Sequence, residues 1–292
     1  MGTLKEDGRL VRSAAALAVI TSLSLIVIKI VAWGYTDSTS VLASLTDSSL
    51  DMFMSLLNLM VLRFAFSPAD EGHPFGHGKA ESIVALTQAA FIAGSALVLS
   101  FHTLERFVHP AAIQQFEIGA LLMLVSTGLT IALVLYQRWV FARTQSLAVK
   151  ADSAHYSADI LANISVLAAM LLAYWQWTWV DPLIACFIIV GLLKSAWDIA
   201  REALHMLMDH ALPDDMLDFV RQCIDSDSEI RGFHDLKTRR SGNIEYIQIH
   251  LELDGNMKLT QAHQIGDSLV ARICEKYPRA EVIVHHDPVK PA

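Results

Sequence analysis

Two pairs of ionisable residues occur inside apolar stretches of the chain, where charged groups are costly. Asp47 and Asp51 are four residues apart, and so are His155 and Asp159. In a helix this spacing places both members of a pair on one face. Ionisable side chains at membrane depth usually serve a function. Three carboxylates and one imidazole together offer a tetrahedral set of donors for a divalent cation such as Zn²⁺.

The alternative is that each pair is a hydrogen-bonded structural group or lines a water-filled cavity. That explanation is weaker for both pairs together, because we expect no basic residue nearby to balance three carboxylates. Lys29 lies near the outer end of the first apolar stretch, and its ammonium is expected to reach the membrane surface. Lys194 lies nearer the middle of the last stretch, and the pattern assigns it no role.

A second candidate site is the polar segment between the second and third apolar stretches. Asp70, His73 and His77 are three potential metal ligands within eight residues, on a glycine-rich turn that can fold around an ion. A solvated polar loop without a metal is equally compatible with this composition.

The segment from residue 209 to residue 292 is rich in histidine and contains six of the twelve in the sequence. Its candidate metal ligands are His234, His250, His263, His285 and Asp287. His285 and Asp287 are two residues apart in an extended segment and share a face, whereas His286 points to the opposite side. Surface histidines in an acidic domain are the alternative interpretation.

The composition is that of a polytopic membrane protein. Of the 292 residues, 53% are hydrophobic and only 18% are charged, against about 45–50% apolar and about 25% charged in soluble domains. Spanning the hydrocarbon takes about 20 helical residues. Six apolar stretches are long enough, at about residues 10–33, 40–64, 80–106, 116–142, 147–175 and 182–208.

The distribution of basic residues predicts the orientation of these spans. Segments 34–38, 107–116 and 176–181 contain no Lys or Arg, whereas the N-terminus and loops 63–79 and 138–150 do. Basic loops stay inside, so both termini are expected in the cytoplasm. At about 1.5 Å per residue, Asp51 and His155 then both lie about 16–18 Å from the cytoplasmic end, and the two pairs can meet.

The long apolar stretches end at residue 208. We predict a transmembrane domain over residues 1–208 and a cytosolic α+β domain over 209–292. In the second domain, helices are expected at about 213–225 and 259–276, and strands at 245–254 and 280–286. The alternation of Ile247, Ile249 and Leu251 with polar residues predicts a half-buried strand. The order helix–strand–strand–helix–strand suggests an antiparallel sheet.

Several function classes are disfavoured by what the sequence lacks. The net charge of −8 argues against nucleic acid as a partner. The three cysteines are far apart, so neither a disulfide framework nor a cysteine zinc site is expected. There is no HExxH, GxSxG, Walker A or GxGxxG motif, which removes the usual signatures of metalloproteases, serine hydrolases and ATP-driven pumps.

At these residues the sequence resembles the cation diffusion facilitator family, over nearly the whole chain. The matching stretches are SLTDSSLD (44–51), PADEGHPFGHGKAE (68–81), ADSAHYSADILAN (151–163), HDLKTR (234–239), IQIHLELDGN (247–256) and VIVHHDPV (282–289).

The resemblance implies a homodimer in the bacterial inner membrane, with six transmembrane helices and a cytosolic ferredoxin-like domain per subunit. It implies a transport site at Asp47, Asp51, His155 and Asp159, and a loop site at Asp70, His73 and His77. It implies a binuclear cytosolic site drawn from His234, His250, His263, His285 and Asp287, with Asp287 bridging. It also implies a salt bridge at the dimer centre that involves Lys79 and Asp209.

The function we expect is efflux of Zn²⁺, with Fe²⁺ and Cd²⁺ as further candidates, by proton antiport and alternating access. Zn²⁺ is then both the substrate and a structural or regulatory ion, and no organic cofactor is expected. The alternatives are a passive divalent-metal channel, an intramembrane metalloenzyme and a metal sensor that does not transport. Four protein ligands argue against the enzyme, because catalytic zinc keeps an open position.

Overall fold

The first two-thirds of the chain consist of long helices separated by short connections. The computed structural model describes residues 2–36, 39–108, 116–174 and 180–289. The long helices are α1 (Gly2–Thr36), α2 (Thr39–Ala65), α3 (Ala80–Val108), α4 (Phe116–Thr144), α5 (Leu147–Tyr174) and α6 (Val180–Leu207). Each matches one of the six predicted apolar stretches. Parts of the predicted outer loops, residues 37–38, 109–115 and 175–179, lie outside the described residues.

The remainder of the chain is an α+β unit. It contains α7 (Asp214–Asp225), β1 (Gly232–Ser241), β2 (Ile244–Asp254), α8 (Leu259–Lys276) and β3 (Ala280–Val289). The chain divides into two compact units, Met1–Leu204 and His205–Ala292. Below, the first is called the helical unit and the second the tail.

The helical unit has the properties of a membrane domain. Within the described residues, α1, α2, α3 and α4 each contain a segment long and apolar enough to cross a bilayer. Many large apolar side chains on these helices are exposed, for example Phe53 and Leu97. In an aqueous protein such a surface would be a liability, whereas in a bilayer it is the surface that contacts lipid.

Small residues let the helices of this unit approach closely. Ala14 and Ala15 of α1 are almost fully buried, in a cluster that includes Leu62 of α2, Val140 of α4 and Ala148 of α5. Apolar burial provides little driving force between helices in lipid, so close van der Waals packing of small side chains matters more. This cluster fixes the positions of α2 and α5, which carry the ionisable pairs.

A carboxylate from α3 fixes the start of α5. Gln145 has a positive φ of 54° and ends α4 in a tight turn. Glu81 of α3 then accepts hydrogen bonds from the backbone N–H of Ala148 (3.2 Å) and from the Ser146 hydroxyl. The first N–H groups of a helix lack partners within the helix and favour a negative charge. Glu81 therefore caps α5 and ties it to α3.

A second buried carboxylate joins three helices. Asp152 of α5 accepts hydrogen bonds from the amide nitrogens of Gln88 of α3 (3.1 Å) and Gln137 of α4 (2.6 Å). All three side chains are buried. Because an unpaired carboxylate at this depth is very costly, these bonds hold α3 and α4 against α5 one turn before His155.

The tail folds around strand β2. Ile247, Ile249 and Leu251 are buried and pack with α7 and α8 in the tail core, as their alternation predicted. The other face of β2 is polar and carries His250. The sheet has the order β1-β2-β3.

The predicted antiparallel sheet is wrong in one pairing. β1 pairs with β2 antiparallel, but β2 pairs with β3 parallel, so the sheet is mixed. The reason is the connection: α8 carries the chain back across the sheet, so β3 starts at the same end as β2. A helical crossover of this kind is the usual way to join parallel strands.

Removing one partner of the Asp152 cluster should destabilise the helical unit. We expect Gln137→Leu to lower the free energy of unfolding by about 2 kcal/mol, because a buried acceptor loses its donor. Thermal unfolding of the full chain in detergent measures this. Gln222→Leu, at an exposed position of α7, is the control, and an equal loss in both variants would contradict the role of the cluster.

Candidate functional site

The structure brings together one residue of α2 and two of α5. His155 Nε2 lies 3.1 Å from Asp51 Oδ1 and 3.8 Å from Asp159 Oδ2. One potential ligand atom from each residue falls within 4.8 Å of the other two. His155 is buried, and both carboxylates are partly buried. Three of the four residues in the two pairs therefore lie close together.

A hydrogen bond that the sequence analysis missed sets the register between α2 and α5. The hydroxyls of Ser55 and Tyr156 are 2.6 Å apart, and both side chains are buried. Ser55 lies one turn after Asp51, and Tyr156 directly follows His155. The bond therefore places the imidazole opposite the carboxylate. A buried tyrosine hydroxyl needs a partner, which is the signal that could have pointed to this contact.

Asp47 and Lys29 differ from the sequence-based expectation. Asp47 is exposed and belongs to none of the three-residue ligand groups found among the described residues. The prediction that Lys29 reaches the membrane surface is wrong. Its ammonium donates to the backbone oxygen of Ser44 (3.0 Å) and to the Ser48 hydroxyl (2.6 Å), beside the carboxylate pair of α2.

The loop between α2 and α3 forms a second cluster, from the three residues that its sequence singled out. Asp70 lies 3.1 Å from His73 Nδ1 and 3.2 Å from His77 Nε2. The Ser67 hydroxyl lies 3.0 Å from the other nitrogen of His77, Nδ1. Gly76, with a φ of 76°, provides the turn that returns the chain to α3.

A backbone hydrogen bond stabilises the ionised form of Asp70. The N–H of His73 donates to Asp70 Oδ1 at 2.7 Å. This bond is the main reason that the pKa of Asp70 lies below its ordinary value, with smaller contributions from the two imidazoles. Asp70 therefore stays ionised at neutral pH and can bind a cation together with His73 and His77.

The tail presents a row of histidines across its sheet. His234 of β1 is paired in register with His250 of β2, which is paired with His285 of β3. Neighbouring rings are 5.1 and 4.6 Å apart. The row exists because both strand registers place these residues opposite one another on the polar face. The alternation of the sequence predicted which strand face carries His250 and His285. It did not predict the register that aligns the three histidines.

Asp287 is the centre of this row. Its carboxylate lies 2.8 Å from His250 Nδ1, 3.3 Å from His234 Nε2 and 3.3 Å from His285 Nε2. The hydrogen bond with His250 is the main cause of a pKa for Asp287 below its ordinary value, and the neighbouring imidazoles lower it further. Asp287, His234 and His250 each offer one potential ligand atom, and these atoms lie within 4.8 Å of one another.

Glu252 is a member of this cluster that the sequence analysis missed. Its carboxylate lies 3.0 Å from His234 Nδ1. It faces Gly232 on the adjacent strand, where a Cβ atom would come within 2.7 Å of its Oε2. The glycine therefore leaves room for a carboxylate that orients the imidazole of His234. Such partners fix the ring orientation of metal-binding histidines.

Two other histidines of the tail, His263 and His286, lie away from Asp287. His263 lies on α8, is exposed and contacts Asp267 at 3.5 Å, so it is outside the cluster of described residues around Asp287. His286 faces the other side of the sheet, as its position predicted, where its ring would meet a Cβ at Gly266.

Asp209 pairs with Arg239 at 3.5 Å. The predicted bridge between Lys79 and Asp209 stays a prediction.

Among the described residues there are thus three candidate metal sites, each of nitrogen and oxygen donors, and two of them belong to the helical unit. The sequence profile of the cation efflux transmembrane domain matches residues 15–208, and that of the cation efflux protein cytoplasmic domain matches residues 212–289. The chain belongs to the cation efflux family. Members of this family are transporters, so the prediction that the chain is no enzyme is confirmed, as is the predicted fold class.

Curated relatives in the cation efflux family are similar over almost their full length. The cation-efflux pump FieF of Klebsiella pneumoniae is 44% identical over 281 residues, which is 96% of this chain and 94% of the relative. FieF of Shewanella oneidensis is 42% identical over 280 residues, 96% and 95% of the two chains. The metal-bound C-terminal domain of the CzcD transporter from Thermotoga maritima is 23% identical, with a TM-score of 0.25, and covers 26% of this chain and 91% of its own.

Metal binding at the tail should weaken as the pH falls from about 7.5 to about 5.5. The pKa of Asp287 is depressed, so this carboxylate stays ionised throughout that range. An imidazole binds a metal ion only in its neutral form, so protons compete with the metal for the histidine nitrogens as the pH falls. Calorimetric Zn²⁺ titrations of the full chain, compared with Asp287→Asn, isolate the contribution of the tail.

Two histidine variants test the geometry of this cluster. His250→Asn should weaken tail binding by about tenfold or more, and more than His263→Asn, because His250 contacts Asp287 whereas His263 pairs with Asp267. Equal losses in the two variants would contradict the central place of His250. Binding that strengthens at acidic pH would contradict the competition with protons.

Proposed function

We propose that the chain exports divalent metal cations, with Zn²⁺ as the main cargo, from the cytoplasm in exchange for protons. The observation that carries the proposal is the convergence of Asp51, His155 and Asp159 within the unit that matches the cation efflux transmembrane domain. Costly ionisable groups at membrane depth are retained where a substrate needs them. Asp47, one turn from Asp51, completes a four-ligand site when the cation binds.

Exchange with protons follows from the chemistry of these ligands. A metal ion binds carboxylates that are ionised and an imidazole that is neutral, so bound metal and bound protons compete. The proposed cycle loads the cation from the cytoplasm, exposes the site outward, and releases the cation as Asp51, His155 and Asp159 take up protons. The protons are then carried inward. Such alternating access around a site near the midplane is common among secondary transporters.

The donor set favours borderline cations. Three carboxylates and one imidazole suit Zn²⁺, and also accept Fe²⁺ or Cd²⁺. Zn²⁺ at the tail would act as a structural or regulatory ion, held by His234, His250, His285 and Asp287, with Asp287 bridging two ions and His263 joining on binding. Asp70, His73 and His77 would hold a further ion at the loop.

The proposed setting is the bacterial inner membrane, with both termini in the cytoplasm. The support is the excess of Lys and Arg in the N-terminus and in loops 63–79 and 138–150. The tail matches a cytoplasmic domain of the family, which agrees with that orientation. We also propose that two copies form a homodimer, with Lys79 and Asp209 in the salt bridge at its centre.

Transport by Asp51→Asn tests the proposed site. We expect proteoliposomes with the variant to accumulate Zn²⁺ at least about tenfold more slowly than wild type under a pH gradient. The amide keeps the size of the side chain but cannot supply a charged ligand. An internal pH indicator measures proton movement in the same vesicles.

Asp198→Asn is the matched control, because it makes the same change at an exposed carboxylate on α6. It should transport like wild type. Wild-type flux in Asp51→Asn would refute the site. Metal flux in wild type without proton counterflow would refute antiport and identify a passive channel instead.

A further inference from the structure

Lys29 places a positive charge beside the proposed transport site. Its ammonium lies 3.0 Å from the Ser44 backbone oxygen and 2.6 Å from Ser48 Oγ. Ser48 is 1% exposed and lies between Asp47 and Asp51 on the same helix. The bonds hold the long side chain of α1 against the part of α2 that carries both carboxylates.

The ammonium also acts electrostatically on the carboxylates themselves. Asp51, Asp47 and Asp159 all contribute attractive charge interactions with Lys29, and Lys29 acts in turn on Asp159. These are the three acidic residues of the proposed transport site. Lys29 is therefore part of the electrostatics of the site, although it cannot itself ligate a cation.

The charges of the site indicate what a lysine contributes at this position. Three ionised carboxylates and one ammonium carry a net charge of two negative units, which a single divalent cation neutralises. Without the ammonium, the loaded site would keep one negative charge, and uncompensated charge at membrane depth is costly. The empty site would also attract cations more strongly, which favours binding but slows release.

We propose that Lys29 is a countercharge of the transport site, a positioning residue whose positive charge matches the site to one divalent cation and weakens binding enough for release. The inference rests on the proposed transport function and assigns a role that the ligands alone do not explain. It differs from a purely structural role, in which the two hydrogen bonds to α2 would matter and the charge would not.

The test separates charge from hydrogen bonding. Lys29→Gln keeps donors for Ser44 and Ser48 but removes the charge, whereas Lys29→Arg keeps both. Zn²⁺ uptake is measured in proteoliposomes of the full chain as a function of metal concentration. For Lys29→Gln we expect KM to fall about tenfold and kcat to fall as well, because binding tightens and release slows.

Lys29→Arg should restore both constants to near wild type. The matched control is Lys194→Gln, at an exposed lysine on α6, which should leave both constants unchanged. An unchanged or higher KM in Lys29→Gln would overturn the proposal, and so would equal effects of the glutamine and arginine variants.

Folding is checked by gel filtration and thermal unfolding of each variant. If Lys29→Gln does not fold, Lys29→Met, of similar length, is measured beside Ser48→Ala, which removes the hydrogen bond to Ser48 but keeps the charge. In that case only the methionine variant should lower KM. If neither uncharged variant folds while Lys29→Arg does, Lys29 has a structural role and the proposal fails. Absence of flux in wild type would refute the transport function itself, and full flux in Asp51→Asn would refute the proposed site; both outcomes are distinguishable from a failure of the Lys29 proposal alone.

Discussion

The cost of placing three carboxylates and an imidazole among apolar helices is the constraint on which the helical unit depends. Charged groups at this depth persist only where other groups stabilise them. His155 contacts two carboxylates, and Lys29 supplies an opposing positive charge. Residues of the protein therefore offset part of the negative charge of the carboxylates before any cation binds.

These opposing charges stay close together only if the helices keep their register. Buried polar contacts around the site hold that register. Tyr156 bonds to Ser55 beside the His155–Asp51 contact. Asp152 binds amides from α3 and α4 one turn away, and Glu81 caps the start of α5. In lipid such bonds have few competitors, because no water replaces a lost partner.

In the tail, the candidate metal ligands are brought together by strand pairing rather than by helix packing. Its cluster depends on strand register, since His234, His250 and His285 are brought into line only by the two ladders of the mixed sheet. Had β3 paired antiparallel to β2, as the sequence suggested, the order of its residues along β2 would be reversed. His285 is now paired with His250, and Asp287 with Glu252. In an antiparallel pairing these two pairs could not both form. The helical crossover through α8 is thus a requirement of the site.

Local sequence patterns were enough to predict the long helices and the residues that share one face of a helix or strand. Apolar length predicted six helices, and a spacing of four predicted that Asp51 shares a face with Asp47, and His155 with Asp159, because the helical period is fixed by the backbone. Only the tertiary structure decided that Lys29 turns toward α2, that Ser55 meets Tyr156 and that Glu252 joins the tail cluster. These contacts link residues far apart in the chain, so they depend on how helices and strands pack and on side-chain torsions that no local period specifies.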